Sequence, residues 1–363
     1  MIEVQTAPPA SLFGQIAEHD HEQVVFCHDR ETGLRAIIGI HNTVLGPALG
    51  GTRMWHYAND LEALNDVLRL SRGMTYKAAI SGLNLGGGKA VIIGDAKKMK
   101  TEALLRKFGQ FVKNLNGKYI TAEDVNMTTK DMEYIRMETK HVAGLPESMG
   151  GSGDPSPVTA YGTYMGMKAA AQQAFGSDSL AGKRIGVQGV GHVGTYLLEH
   201  LQKEGAKLIV SDYYEDRALE AAVRFGATVA GLDEIYDQDL DIYSPCALGA
   251  TLNDDTIPRL KCKVVAGCAN NQLKDENEHG PALVKRGIVY APDFLINAGG
   301  LINVYSEVVG TSRQGALTQT EKIYDFTLQV LHKAEQEKTH PQAAATKQAK
   351  ERIASIGQIK LSY

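Results

Sequence analysis

Cysteine is scarce in this sequence: only Cys27, Cys246, Cys262 and Cys268 occur. None belongs to a CxxC pair, and no HExxH spacing stands near them. The common zinc frameworks are therefore excluded, and no metal is expected. Unpaired thiols of this kind read most simply as buried small hydrophobes. An excess of one charge is lacking too. The formal net charge is -4, and the longest basic cluster, Lys97-Lys98-Met99-Lys100, is short. No global field attracts nucleic acid or anionic lipid, so neither is an expected partner. No apolar run approaches the about 20 residues that span a bilayer. The first residues, Met1 to Asp20, show no basic start leading into an apolar core. A signal peptide is therefore not expected, and a reducing, cytoplasmic setting is. No internal repeat is evident.

What is present is an ordinary globular composition, 43% hydrophobic and 22% charged over 363 residues, enough for two domains with sizeable cores. Gln23 to Cys27 and Leu34 to Ile40 read as strands. Between Asn59 and Gly73, Leu61, Leu64, Val67, Leu68 and Leu70 recur at helical spacing, with Asn59 and Glu62 placed as a capping box. Ala90 to Ile93 reads as a buried strand, and Tyr119 to Asp124 as another strand-like segment. A turn-rich joint, Met149 to Pro157, then marks a boundary, with Ser156 and Pro157 suited to N-cap and first turn of a helix. Beyond it strand and helix alternate as a parallel sheet requires: Arg184 to Gln188, Lys207 to Val210, Asp241 to Tyr243, Val264 to Ala266 and Ile288 to Tyr290. From Gly315 two helical patterns follow, split near Thr339-His340-Pro341.

Gly189-Val190-Gly191-His192-Val193-Gly194 is a complete GxGxxG that follows a strand, opens a helix, and is followed by Asp212 at the end of the next strand. Gly189 permits the tight turn, Gly191 a close approach of pyrophosphate, and Gly194 close helix-to-strand packing. The N–H groups of the helix start stabilise phosphate charge. Asp212 would accept from the ribose hydroxyls and repel a 2′-phosphate, which favours NAD over NADP. A plain glycine-rich turn is the alternative, and the context disfavours it. The side chain of His192 reads as an exposed loop histidine rather than a phosphate contact.

The segment from Gly73 to Lys89 ends in Gly86-Gly87-Gly88-Lys89, which invites comparison with a nucleotide-binding P-loop. That motif fails: Leu83 stands where its first glycine belongs, Ala90 cannot hold magnesium, and a strand rather than a helix follows. A lysine in an apolar, glycine-lined site loses solvation and its pKa falls, which suits a proton acceptor. Asp124 could relay protons beside it. Residue type alone, however, favours the plainer reading of two surface lysines, Lys77 and Lys89, and a capping aspartate.

Seven blocks reverse that balance: Leu45 to Trp55, Met74 to Lys77, Leu83 to Lys89, Thr121 to Val125, Pro155 to Gly162, Ala269 to Leu273 and Ile296 to Gly300. Through them the chain resembles the glutamate/leucine/phenylalanine/valine dehydrogenase family over nearly its whole length, most closely its leucine-acting branch. The resemblance implies an α/β fold of two domains with a cleft between them. Residues 1–148 would bind substrate and mediate oligomerisation, residues 149–334 would form a Rossmann NAD-binding domain, and helices from about 335 to 363 would pack back on the first. It implies Lys89 as general base, Asp124 as proton shuttle and Lys77 as holder of the substrate α-carboxylate beside Gly50 and Gly51. Asn271 and Asn297 would fix carboxylate or coenzyme amide, with Thr159, Cys246 and Ala247 against the coenzyme. Leu49, Ala122, Leu301 and Val304 would line the side-chain pocket.

The implied reaction is reversible NAD-dependent oxidative deamination of a branched-chain L-amino acid, leucine first, to a 2-oxo acid and ammonia, by a homo-oligomer, an octamer being one form. A charged substrate would be disfavoured in that pocket by several kcal/mol. Leu301 stands where valine is expected, and a methylene shifts preference by only about 1–3 kcal/mol, so valine and isoleucine are close rivals. An aromatic amino acid is the alternative substrate, although the residue at Ala122 tends to be smaller in phenylalanine-acting relatives. An NAD-binding regulatory module is the alternative of another class. The 2-hydroxyacid dehydrogenases need a histidine with an arginine clamp, which two lysines do not supply.

Overall fold

The computed structural model describes residues 11–360, and the chain divides into two compact α/β units. The first ends at Gly153 and takes the chain back from Lys350; the second runs Asp154–Ala349. Among the described residues no helix is long and apolar enough to cross a membrane.

The first unit is a mixed five-stranded sheet of β1 (Gln23–Asp29), β2 (Leu34–Asn42), β3 (Ala48–Trp55), β4 (Gly86–Ile93) and β5 (Tyr119–Glu123), in the order β1-β2-β4-β3-β5. β2 is antiparallel to β1 and β4, whereas β3 runs parallel to both β4 and β5. Alternate residues of each strand face opposite sides. Ile37 and Val91 therefore meet Leu64, Val67 and Leu68 of the helix Asp60–Ile80. On the other face Ile38, Ala90 and Ile92 pack with Leu104 and Phe108 of helix Glu102–Asn114 and with Met132 and Ile135 of helix Thr129–Arg136.

Helix Asp60–Ile80 begins where the sequence placed it, since Asn59 Oδ1 accepts from Glu62 N at 2.9 Å. The reciprocal bond is displaced, for the Glu62 carboxylate accepts from Ala58 N at 2.7 Å instead. The helix continues well past Gly73 because Thr75, Ala78, Ala79 and Ile80 extend its buried stripe, and packing overrides the weak propensity of one glycine. Lys77 is thus a helical residue.

The second unit is a six-stranded parallel sheet of β6 (Arg184–Gln188), β7 (Lys207–Ser211), β8 (Thr228–Val229), β9 (Ile242–Pro245), β10 (Val264–Val265) and β11 (Val289–Tyr290), in the order β11-β10-β9-β6-β7-β8. β6 and β9 are neighbours although two strands separate them in sequence. The winding reverses there, the place where doubly wound sheets bind ligands. β8 went unnoticed in the sequence because it is a two-residue exposed strand. Ser156 is not an N-cap: it is the first residue of helix Ser156–Phe175, and its N–H donates to Asp154 Oδ1 at 2.9 Å. The C-terminal part forms three helices rather than two, Arg313–Glu321, Ile323–Gln336 and Pro341–Lys360. Arg352 Nη1 donates to the carbonyls of Ala79 (3.0 Å) and Leu83 (2.7 Å), so its charge neutralises the end of helix Asp60–Ile80.

Candidate active site

The chemistry of the first unit is built on strands stripped of side chains. A Cβ on Gly50 would lie 1.7 Å from the Gly88 carbonyl oxygen, and one on Gly51 would lie 2.3 Å from that of Glu123. A Cβ on Gly87 would lie 2.1 Å from Thr75 N. Glycine is required because backbone itself fills the space a side chain would need. Gly87 and Lys89 share a face, so Lys89 stands on the side of the sheet that helix Asp60–Ile80 covers. It is 6% exposed and is no surface lysine. Lys77, on that helix, is half-buried.

Lys89 Nζ lies 2.9 Å from Asp124 Oδ2, and Arg53 Nε donates to the same oxygen at 2.9 Å. Asp124 follows directly on β5, which pairs with β3 so that Gly51 is opposite Ala122. Arg53 in turn donates to Asp66 at 3.0 Å, and the Tyr57 hydroxyl donates to the same Asp66 oxygen at 2.7 Å. Burial pushes the Lys89 amine below its ordinary pKa; Asp124 opposes that shift and Arg53 reinforces it. For Asp124, burial acts to raise the carboxyl, but Lys89 and Arg53 hold it below the ordinary range. A base whose ammonium form is poorly solvated thus touches a carboxylate that stays ionised, and such a pair can pass a proton.

Arg53, Asp66 and Tyr57 were not singled out in the sequence. The available signal was an arginine inside a strand whose preceding residues, Ala48 to Thr52, are all buried, which needs a partner to be tolerated. Leu49 and Ala122 are buried at 2% and 7% exposure, on β3 and β5 respectively.

In the second unit the glycine loop joins β6 to helix His192–Lys203. Gly189 has φ +103°, and a Cβ there would lie 2.6 Å from Ala247 Cβ. A Cβ on Gly194 would lie 2.1 Å from the Gly189 carbonyl oxygen, whereas the space before Gly191 is open to 4 Å. No side chain caps the helix start. Val193 belongs to its first turn, and His192, its first residue, is exposed. Asp212 also braces the loop, for Oδ2 accepts from Val190 N at 2.8 Å and Oδ1 from Tyr214 N at 2.9 Å.

Cys246 follows β9 and its N–H donates to the Gln188 carbonyl at 2.7 Å. Its Sγ lies 3.3 Å from Ser244 Oγ. Thr159 donates to the Pro155 carbonyl at 2.9 Å. Gly300 lies so close that a Cβ on it would be 2.8 Å from Thr159 Oγ1. Asn297, buried, donates to Asn270 Oδ1 at 2.8 Å and to the Cys268 carbonyl at 3.2 Å. Asn271 is exposed, with φ +52°. Leu301 and Val304 lie on helix Gly299–Val309, the first buried and the second half-buried. The expected pocket residues are thus divided two and two between the units.

Residues 21–141 match the family model described as Glu/Leu/Phe/Val dehydrogenase, dimerisation domain. Residues 150–216 and 210–359 match that of glutamate/leucine/phenylalanine/valine dehydrogenase. Leucine dehydrogenase of Thermoactinomyces intermedius is 55% identical over 97% of this chain and 96% of its own length. That of Bacillus subtilis is 56% identical over 94% of each. The crystal structure of L-tryptophan dehydrogenase from Nostoc punctiforme superposes with a TM-score of 0.87 at 46% identity, covering 96% of this chain and 100% of that one. With both units matched and relatives aligned from end to end, the chain belongs to the glutamate/leucine/phenylalanine/valine dehydrogenase family.

Proposed function

We propose that this chain catalyses the NAD-dependent oxidative deamination of a branched-chain L-amino acid, leucine first, to the 2-oxo acid and ammonia. The observation that carries this reading is the buried pair of Lys89 and Asp124, 2.9 Å apart and braced by Arg53. The residues of the second unit fit a dinucleotide. Open space before Gly191 and an uncapped helix start suit a pyrophosphate, and the partly buried carboxylate of Asp212 suits ribose hydroxyls. When bound, NAD supplies the hydride acceptor that converts the amine to an iminium.

Every other step falls to the chain's own groups. Lys77 holds the substrate α-carboxylate next to the side-chain-free backbone of Gly50 and Gly51. Lys89 takes a proton from the water that attacks the iminium carbon. Asp124 then moves a proton to the amino group, so that ammonia leaves and the carbonyl forms. Asn271, Asn297, Thr159, Cys246 and Ala247 orient the nicotinamide end of the coenzyme. Leu49, Ala122, Leu301 and Val304 are all apolar, which rejects a side-chain carboxylate by several kcal/mol. The two leucine dehydrogenases, alike at 55% and 56%, support an aliphatic preference; the tryptophan dehydrogenase fold keeps an aromatic substrate as the second reading. A homo-oligomer accords with the dimerisation domain of the family model.

Initial rates with leucine, isoleucine, valine, phenylalanine and tryptophan, followed by NADH absorbance, test this reading. Leucine is expected to give the highest kcat/KM. A higher value for either aromatic amino acid would transfer the assignment to the second reading, and silence with all five would end it. For the coenzyme, Asp212→Ala is expected to raise the ratio of NADP to NAD turnover by about tenfold, the equivalent of about 1.4 kcal/mol. NAD binding should weaken as well, because Val190 N loses its partner. An unchanged ratio in steady-state assays contradicts the ribose assignment.

A further inference from the structure

Apart from these sites, one group of three metal-ligating side chains stands together among the described residues. Asp254, Glu278 and His279 offer ligand atoms that all lie within 4.8 Å of one another. We propose that they bind a divalent first-row transition ion, best matched by zinc, which fastens the segment before residue 254 to the helix Glu276–Lys285. Separation along the chain leaves this group without a metal-binding spacing, and it shares no residue with the coenzyme and substrate sets named above.

His279 is 2% exposed, and its Nε2 is buried without a hydrogen-bond partner. A buried polar atom left in that state is costly unless something completes it. Nε2 lies 3.5 Å from Asp254 Oδ1, too far for a good hydrogen bond. Two donors bound to one tetrahedral zinc at about 2.1 Å are themselves about 3.4 Å apart, so the observed gap suits ligands sharing an ion. Asp275 N–H donates to His279 Nδ1 at 2.9 Å, and the carbonyl oxygen of the same residue lies 2.9 Å from that nitrogen. Ion binding would select the tautomer whose Nδ1 proton is donated to that carbonyl in place of the bond accepted from the N–H, leaving the Nε2 lone pair forward. Ligating histidines are commonly held in this way.

Asp254 and Glu278 are exposed, which gives the ion an entry path and room for water in the remaining position. One imidazole with two carboxylates suits borderline ions; magnesium and calcium prefer all-oxygen shells with more ligands. The start of helix Glu276–Lys285 carries about half a positive charge, which two ligating carboxylates outweigh.

The consequence lies in what precedes Asp254. Ala250 N donates to the Asn271 carbonyl at 2.7 Å, Leu252 N to that of Gln272 at 2.9 Å, and Lys274 N to that of Leu252 at 3.0 Å. An ion at Asp254 would secure the end of this ladder and raise the stability of the folded state by mass action.

Calorimetric titration of metal-free full-length protein with zinc, paired with thermal melts, tests the proposal. Asp254→Asn and Glu278→Gln alter exposed side chains, so neither variant depends on repacking the core. Expected are one ion per chain, a higher Tm with zinc, and affinity about tenfold or more weaker in each variant. Cobalt should bind with no thiolate charge-transfer band, and magnesium at equal concentration should leave Tm unmoved. Zinc affinity unchanged in both variants, or a cobalt-thiolate band that places the ion on cysteine, overturns the proposal. An equal response to magnesium overturns the choice of ion.

Discussion

Lys89→Ala is expected to lower kcat by about a thousandfold or more, within the range by which positioned acid–base groups accelerate reactions, while the Kd for NADH stays nearly unchanged. The two effects separate because Lys89 is in the first compact unit and the glycine loop, Gly189 to Gly194, is in the second. Loss of rate follows because Arg53, also bound to Asp124, has far too high a pKa to accept a proton in its place. The lysine stem is buried as well, so alanine leaves a gap and some stability is lost with it. Lys89→Met fills that gap and should be as inactive as alanine, which makes chemistry rather than packing the cause. A small primary amine in the assay should partly restore Lys89→Ala by occupying the space of the missing head group. Stopped-flow and steady-state rates check both variants. Turnover within tenfold of the parent protein removes the proposed mechanism, and it would leave the chain as an NAD-binding module without need of this lysine.

Part of the site is written locally. Gly86-Gly87-Gly88-Lys89 puts a lysine on backbone that a ligand can approach closely, although residue type alone favours a surface lysine there, and GxGxxG with Asp212 announces a parallel unit. Such features are legible where one short segment contains its own physical reason. Arg53 is different: its partners, Asp66 and Asp124, come from a helix and from the end of β5. Only the sheet order, with β3 between β4 and β5, brings them together, and strand order is a non-local property. The same applies to Asp212, whose grip on Val190 N depends on how the β6 turn sits beside the end of β7. Helix Asp60–Ile80 was legible at its start, where Asn59 is a local cap. Its end was not legible, because the residues that continue it beyond Gly73 are justified by what they pack against. Ser156 misled for a related reason: Asp154, two residues earlier, captures the N–H that opens the helix.

Asp124→Asn should show the second-largest effect, a fall in kcat of about 100- to 1,000-fold, with a diagnostic change in pH dependence. In the parent protein burial lowers the Lys89 pKa, and Asp124 is the main influence raising it; Arg53 lowers it further. Neutralising Asp124 leaves burial and Arg53 without that opposition, so the amine sheds its proton more readily. The base acts only when unprotonated, and the rate falls as pH drops through its pKa. A lower pKa therefore moves the acidic limb of kcat/KM toward lower pH, even as the maximum falls with the lost proton relay. Folding should suffer less than the loss of a buried ion partner suggests. Orphaning such a charge costs about 3–5 kcal/mol, but Lys89 can discharge itself, and Arg53 keeps Asp66 at 3.0 Å. A pH–rate profile beside a urea melt measures both consequences. If the acidic limb stays in place or moves to higher pH, Asp124 does not set the state of the lysine, and the paired acid–base reading fails.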